Sequence, residues 1–334
     1  MADGVFNIGI VGVGGISGAH IGAAKASEGR VQVVAVADVD GAAANKAAAD
    51  TNAQAFSSLD AMLKAHKSGE IKLDGVVICT PPSIRLKLVD AALKAKMPVL
   101  MEKPIAHTLA DAKKLAALSL KHKKVPAFLA YCHRFAAPIN VMKRLVADGK
   151  VGRLVRIENA FACDLPGHES KWFSDPKKAG GGALLDMGSH SLDLFAYLTG
   201  GPAKTIGAVL DFKWKKRTET ASTILVQSTK KANSNVPAGV SGVIVSGWAE
   251  TSRFTLNLVG DAGMLSYDYE KPNELIFKDL VGKPEVHTVD SHDTRFRHQL
   301  VAFADAVQNK TKSQLATFAD GLAASAADAK ARKK

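Results

Sequence analysis

Lys103, Asp186 and His190 stand out in this 334-residue chain because their types and settings suit proton transfer. Lys103 lies in Glu102-Lys103-Pro104, directly after a short apolar run at 98–101. A lysine at the carboxyl end of a parallel strand stands where ligands bind in doubly wound sheets, and Pro104 fixes the chain direction beyond it. Position alone fits an ordinary surface lysine equally well. Asp186 and His190 fall in the run Gly180-Gly181-Gly182-Ala183-Leu184-Leu185-Asp186-Met187-Gly188-Ser189-His190-Ser191-Leu192-Asp193. If the chain is helical from Ala183, their spacing of four puts both on one face, one turn apart. A carboxylate beside an imidazole can orient it, raise its pKa and suit it to proton transfer near neutral pH. The same spacing also occurs in surface pairs without chemistry, and Asp193 fits either a contact with His190 or a structural role.

A second constellation suits a phosphate-bearing cofactor. The apolar run at 5–11 leads into Gly12-Val13-Gly14-Gly15-Ile16-Ser17-Gly18, and a helix is expected from His20 onward. In a dinucleotide-binding turn one glycine makes the bend, and a second lets the backbone approach the pyrophosphate at a helix N-terminus. Gly12 and Gly14 fill those roles, with Gly15 and Ile16 completing the candidate cradle. Ser17 replaces the third glycine of the fingerprint and is still small enough for close packing. The next apolar run ends at Asp38, where a carboxylate can bind the adenosine ribose hydroxyls and repel a 2′-phosphate, favouring NAD over NADP. An ordinary strand–helix–strand unit with a surface Asp38 is the alternative.

These residues need a scaffold, and the patterning supplies one. Apolar runs at 5–11, 31–37, 75–79, 98–101 and 126–131 alternate with helical patterns, the signature of a parallel sheet covered on both faces. After about Val151 the rhythm changes to runs at 154–162, 204–212, 221–228, 240–248, 254–259, 264–269 and 275–277, several alternating with period two. A helix is expected over 183–198, and two more near 294–308 and 314–330. The expected fold is therefore a doubly wound dinucleotide-binding domain over 1–132. A second domain, over 133–334, carries an open, mainly antiparallel sheet for substrate binding and oligomerisation.

Composition excludes several classes. Hydrophobic residues make up 47% and charged residues 23%, which is ordinary for a globular chain. The net charge of +12 comes mainly from lysines on expected helix surfaces plus a short basic tail. No nucleic-acid motif accompanies it, and aromatics are scarce, so no nucleic-acid partner is expected. Residues 5–24 are uncharged but glycine-broken and lack a basic lead, so neither a signal peptide nor a membrane span is expected. Cys79, Cys132 and Cys163 are far apart with no C-x-x-C pair, arguing against a disulfide framework or thiolate zinc site and for a reducing, cytoplasmic location. No phosphate loop, H-E-x-x-H or G-x-S-x-G motif occurs. No metal is expected.

Taken together, the glycine turn, Asp38, Thr80-Pro81-Pro82, Glu102-Lys103-Pro104 and the run G-G-G-x-L-x-D-x-G-x-H-x-x-D resemble the Gfo/Idh/MocA oxidoreductase family along nearly the whole chain. The resemblance implies a catalytic set of Lys103, Asp186 and His190. It adds Thr80, Pro81, Glu102 and Lys103 to the cofactor contacts, and implies a homodimer or homotetramer. On this reading NAD accepts hydride from a secondary alcohol of a sugar, cyclitol or related polyol. His190 removes the hydroxyl proton, Lys103 bonds the oxygen, and Asp186 orients His190 or grips a neighbouring hydroxyl. His168, Trp172 and Phe173 are expected to border the pocket. The chain departs from the family where many members carry a histidine after Thr-Pro-Pro, since Arg85 stands near that position. Arginine cannot shuttle a proton, so the change should touch cofactor contacts or packing. An NAD-dependent glycosidase and a non-catalytic sensor are the rival readings.

Overall fold

The structure is a computed structural model that describes residues 4–214, 217–311 and 313–333. It divides into two compact units. The first takes in Met1–Ala106, Ala110–Cys132 and Thr294–Ala319, and the second His107–Leu109, His133–Asp293 and Asp320–Lys334.

The first unit alternates strand and helix: β1 (Phe6–Val11), α1 (Ser17–Lys25), β2 (Val31–Ala37), α2 (Gly41–Thr51), β3 (Gln54–Phe56), α3 (Leu59–Ser68), β4 (Gly75–Ile78), α4 (Arg85–Lys94), β5 (Val99–Met101), α5 (Leu109–Lys121) and β6 (Ala127–Leu129). Local chemistry sets several ends. Asp40 caps α2 by accepting from the amides of Ala42 and Ala43, Ser58 caps α3, and Gly69 ends α3 in the left-handed region. The strands pair in parallel in the order β3-β2-β1-β4-β5-β6. Strand order reverses between β1 and β4, and ligands bind in such sheets outside the carboxyl ends at that switch point. The expected parallel sheet is present, with β3 as an addition: one exposed and two partly buried edge residues make no apolar run.

The second unit contains α6 (Ala137–Ala147), β7 (Leu154–Asp164), α7 (Pro176–Ala179), α8 (Ser189–Thr199), β8 (Ala203–Asp211), β9 (Ala221–Ser228), β10 (Ser241–Gly247), β11 (Ala249–Gly260), β12 (Gly263–Asp268), β13 (Glu274–Asp279) and β14 (Pro284–Thr288). They form an eight-stranded sheet in the order β14-β13-β12-β11-β7-β10-β9-β8, antiparallel except for β7 and β10. Burial alternates strictly along β9, so one sheet face is covered and the other is not. The core on the covered face joins Ile224, Val226, Ile244, Leu256 and Leu258 to Ile139 and Met142 of α6 and to Leu192 and Phe195 of α8. Open-face positions include Val209, Leu225 and Val286, which are 72%, 49% and 59% exposed.

Three expectations need correction. The second domain was expected to run unbroken over 133–334, but α9 (Arg295–Gln308) and β15 (Ala316–Thr317) belong to the first unit. Phe303 of α9 is fully buried edge-to-face against Phe6 and Phe128, Arg30 pairs with Asp305, and β15 pairs antiparallel with β6. The chain then returns to the second unit within α10 (Phe318–Ala331). The helix expected over 183–198 opens as a π-helical turn, Leu184–Gly188, before α8. The basic tail is not simply exposed charge: Arg332 is paired with Glu219 and Asp328, while Lys334 lies outside the described residues. In addition, α6 was not anticipated, although Pro138 in its first turn and buried Ile139, Met142 and Val146 give it a start signal and a helical stripe.

Candidate active site

At the switch point, Gly12 has φ +90°, and its amide donates to the Ala37 carbonyl at 2.8 Å. A Cβ at position 12 would lie 2.9 Å from Thr80 Cγ2, so glycine is needed for the bend and for close approach to the end of β4. By contrast, a Cβ at Gly14, Gly15 or Gly18 would meet nothing within 4 Å. Packing within the chain therefore does not call for glycine there, whereas a ligand lying against the turn does. Among the described residues no acceptor is bonded to the amides of Gly14, Gly15 and Ile16, and no acidic residue occupies the first turn of α1. Such a helix N-terminus suits a pyrophosphate. Ser17 is buried and its hydroxyl donates to the Gly14 carbonyl at 2.6 Å, which shows how a serine serves at the third position.

Asp38 follows β2 and accepts from the Val13 amide at 2.8 Å and the Asp40 amide at 3.0 Å. It is thereby tied to the glycine turn rather than standing as an isolated surface charge. A carboxylate has about four lone-pair sites, so two remain for hydroxyl donors. Among the described residues Thr80 Oγ1 is buried with no hydrogen-bond partner, and Pro81 follows it at the same strand end. An open glycine turn, unbonded amides, an orphaned buried hydroxyl and a fixed carboxylate fit a dinucleotide. The exposed apolar residues Val39 and Ile84, at the ends of β2 and before α4, were missed by the sequence reading because isolated apolar residues in loops carry no pattern.

The Glu102-Lys103-Pro104 loop is held from inside. Glu102 is 2% exposed; one carboxylate oxygen lies 2.8 Å from His20 Nε2 and the other accepts from the Lys103 amide at 3.0 Å. The Glu102 carboxylate is thus placed in the protein interior. The buried Arg85 donates from Nε and Nη2 to the Thr80 carbonyl, at 2.8 and 2.6 Å, and from Nη1 to the carbonyls of Glu102 and Pro104. One guanidinium therefore fastens the strand-end loop bearing Thr80 to the loop bearing Lys103. Burial pulls its pKa down to about 10, against the attraction of Glu102. This settles the family departure as packing: Arg85 binds main-chain oxygens.

In the second unit, three glycines precede the π turn because neighbours crowd each one. A Cβ at Gly180 would strike the His107 carbonyl, at Gly181 the Arg332 guanidinium, and at Gly182 the Glu219 carbonyl. Asp186 lies in the π turn, a distortion that occurs often at functional sites. Its Oδ2 accepts from Nε1 of Trp248 at 3.0 Å, and Trp248 is fully buried. His168 packs against Trp248 and stacks on Phe173, which stacks on Trp172 with ring centroids 3.9 Å apart. Burial lowers the His168 pKa, partly countered by Asp186. His190, in the first turn of α8, meets the ring of His133 edge-on at 4.7 Å, and His133 Nδ1 lies 2.9 Å from the Tyr269 hydroxyl. Asp193 is bound by Arg134 through Nε at 2.8 Å and Nη2 at 2.6 Å, a structural role. Sequence spacing gives no sign of Trp248 and His133, which contact this segment from distant positions, or of Tyr269 behind His133.

A doubly wound nucleotide-binding unit joined to an open-sheet unit defines a two-part dinucleotide-dependent oxidoreductase architecture. Residues 6–131 match the family model described as the oxidoreductase family with NAD-binding Rossmann fold, and residues 139–266 match that of the GFO/IDH/MocA C-terminal domain. The chain belongs to the Gfo/Idh/MocA oxidoreductase family. It is 31% identical over 195 residues to the rhizopine catabolism protein MocA of Rhizobium meliloti, covering 58% of this chain and 57% of that protein. It is 33% identical over 162 residues to the D-glucoside 3-dehydrogenase of Escherichia coli, covering 47% and 43%. The chain thus aligns with about half the length of these curated relatives. A crystal structure of an inositol dehydrogenase homolog complexed with NAD+ from Azotobacter vinelandii shares the fold, with TM-score 0.86, 17% identity and coverage of 99% and 96%.

Proposed function

We propose that the protein is an NAD-dependent dehydrogenase acting on a secondary alcohol of a sugar, cyclitol or related polyol. The observation that carries this reading is the pairing of two features within one chain. One is a glycine turn whose open amides and orphaned Thr80 hydroxyl suit a dinucleotide. The other is an Asp186 carboxylate fixed by Trp248 four residues from His190. The named activity of the D-glucoside 3-dehydrogenase relative supports the substrate class. A bound nicotinamide supplies the hydride acceptor.

In this proposal His190 takes the hydroxyl proton, and Lys103 donates a hydrogen bond to the oxygen as it gains charge. Asp186, its direction set by Trp248, grips a neighbouring hydroxyl or orients His190. His168, Trp172 and Phe173 provide a ring surface for the apolar face of a pyranose or cyclitol. Asp38 favours NAD over NADP. The apolar positions on the open sheet face support a homodimer or homotetramer formed through that face. The three free cysteines support a cytoplasmic location, and among the described residues no helix is long and apolar enough to cross a membrane.

A screen of inositols, sugars and polyols for NADH absorbance tests the proposal. At least one should give turnover with a higher kcat/KM for NAD than for NADP. Absence of turnover across the screen, with sugar released from aryl glycosides without net NADH, would replace the reading by an NAD-dependent glycosidase.

A further inference from the structure

One group of charges, its carboxylates buried and its guanidinium partly so, lies outside this chemistry and closes on the glycine run. Glu219, between β8 and β9, is fully buried. Its carboxylate accepts from the amides of Gly182 at 2.9 Å and Leu184 at 3.1 Å, and its own carbonyl accepts from the Ala183 amide at 3.0 Å. Both carboxylate oxygens are also gripped by the guanidinium of Arg332, whose Nη2 donates to Oε1 at 2.7 Å. Arg332 directly follows α10 and is held in turn by Asp328, one helical turn back, with Nε 2.9 Å from Oδ2 and Nη2 2.8 Å from Oδ1.

The arrangement is tightly specified. Gly181 and Gly182 lack side chains where Arg332 and Glu219 occupy the space, so the glycines and the two charges form one fitted contact. Gly182 and Leu184 flank the start of the π turn that holds Asp186, and the Asp186 amide donates to the Gly182 carbonyl at 3.0 Å. The path from the end of α10 to Asp186 is therefore Arg332, the Glu219 carboxylate, the Gly182 peptide and the π turn. A bidentate guanidinium–carboxylate contact fixes direction as well as distance, which a lysine does not reproduce.

We propose that Arg332 and Glu219 are positioning residues that set the aim of Asp186 by clamping the start of the π turn from the C-terminal helix. The proposal rests on the reading that Asp186 contacts substrate. Loss of the clamp moves Asp186 without removing it, and misplacement of a positioning group by about 1 Å can cost up to about 10²-fold in rate.

The test uses the full chain with Arg332→Ala, Arg332→Lys and Glu219→Gln. Hydrogen exchange across 180–188 should be faster in Arg332→Ala, and unchanged exchange there overturns the clamp whatever the substrate is. With an active polyol, Arg332→Ala should lower kcat/KM for that polyol by about 10- to 100-fold, while the NADH dissociation constant read by fluorescence stays within about two-fold. Arg332→Lys should recover part of the loss. Faster exchange with unaltered polyol kinetics overturns the positioning role, as does equal loss of NADH affinity and turnover. If Arg332→Ala does not fold, Glu219→Gln, which keeps an acceptor but removes the charge, should show the same split in milder form, and its absence overturns the proposal. Failure of the wild-type protein to oxidise any polyol speaks against the function reading, and the exchange result still decides the clamp.

Discussion

The two units use arginines of low exposure in opposite ways. In the first, Arg85 spends its donors on the carbonyls of Thr80, Glu102 and Pro104, and burial draws its pKa down to about 10. In the second, Arg134 faces Asp193, and Arg332 faces Glu219 and Asp328. Burial opposes the charge on Arg332, but the hydrogen bonds it donates to Glu219 and Asp328 outweigh it and raise its pKa. A guanidinium on carbonyls fastens loops without requiring a matching acid, so its loss leaves partly satisfied neutral groups. A guanidinium on a buried carboxylate binds two distant residues together, and losing either strands a charge. Arg85 thus fastens two loops of the first unit through main chain, while Arg134 and Arg332 join distant elements of the second through paired side chains.

The largest effect that sharpens this contrast belongs to Arg134. Arg134→Met should reduce stability by about 3–5 kcal/mol at neutral pH in urea unfolding, because it leaves the buried Asp193 carboxylate uncompensated. Burial already pushes the Asp193 carboxyl up to about 6, against the pull of Arg134. A carboxyl whose folded pKa exceeds its unfolded value binds its proton more tightly when folded, so falling pH favours the fold. Removal of Arg134 pushes the carboxyl higher still, and the deficit should therefore shrink as pH falls from neutral toward about 5. A deficit independent of pH would contradict the assignment.

A smaller loss, about 1–3 kcal/mol, is expected for Arg85→Ala, since the groups that lose donors are neutral carbonyls and the nearby Glu102 carboxylate keeps His20 and the Lys103 amide. It should be accompanied by weaker NADH binding in a fluorescence titration, because both the Thr80 and Lys103 loops are released. If Arg85→Ala proved more destabilising than Arg134→Met, the contrast between the units would fail. Smaller again in stability is Asp38→Ser, a change at a half-buried position beside the glycine turn. Its effect should lie in cofactor choice, narrowing or reversing the ratio of kcat/KM for NAD over NADP, whereas an unchanged ratio would detach Asp38 from the ribose.

The same contrast explains what could be read from the sequence. The glycine turn, Asp38 and the Glu102-Lys103-Pro104 loop are local signals whose meaning depends on a few adjacent residues and on strand order. In the second unit the decisive partners are remote: Arg134 is 59 residues from Asp193, Glu219 is 113 from Arg332, and Trp248 is 62 from Asp186. No periodicity records such pairs. The π turn was invisible because helical spacing does not distinguish one wide turn from an ordinary one. The segment Thr294–Ala319 was assigned to the wrong unit because amphipathicity shows that a helix is covered but not by what. The sequence does not assign Arg85, since arginine is seldom fully buried, and only the three carbonyls around it show why it is here.

His190→Ala tests most directly the proposal that His190 removes the substrate proton in an NAD-dependent oxidation. With a polyol that the wild-type enzyme oxidises, the variant should lose about 10²- to 10⁴-fold in turnover while binding NADH as tightly as the wild type. Turnover within a few-fold of wild type would contradict the account.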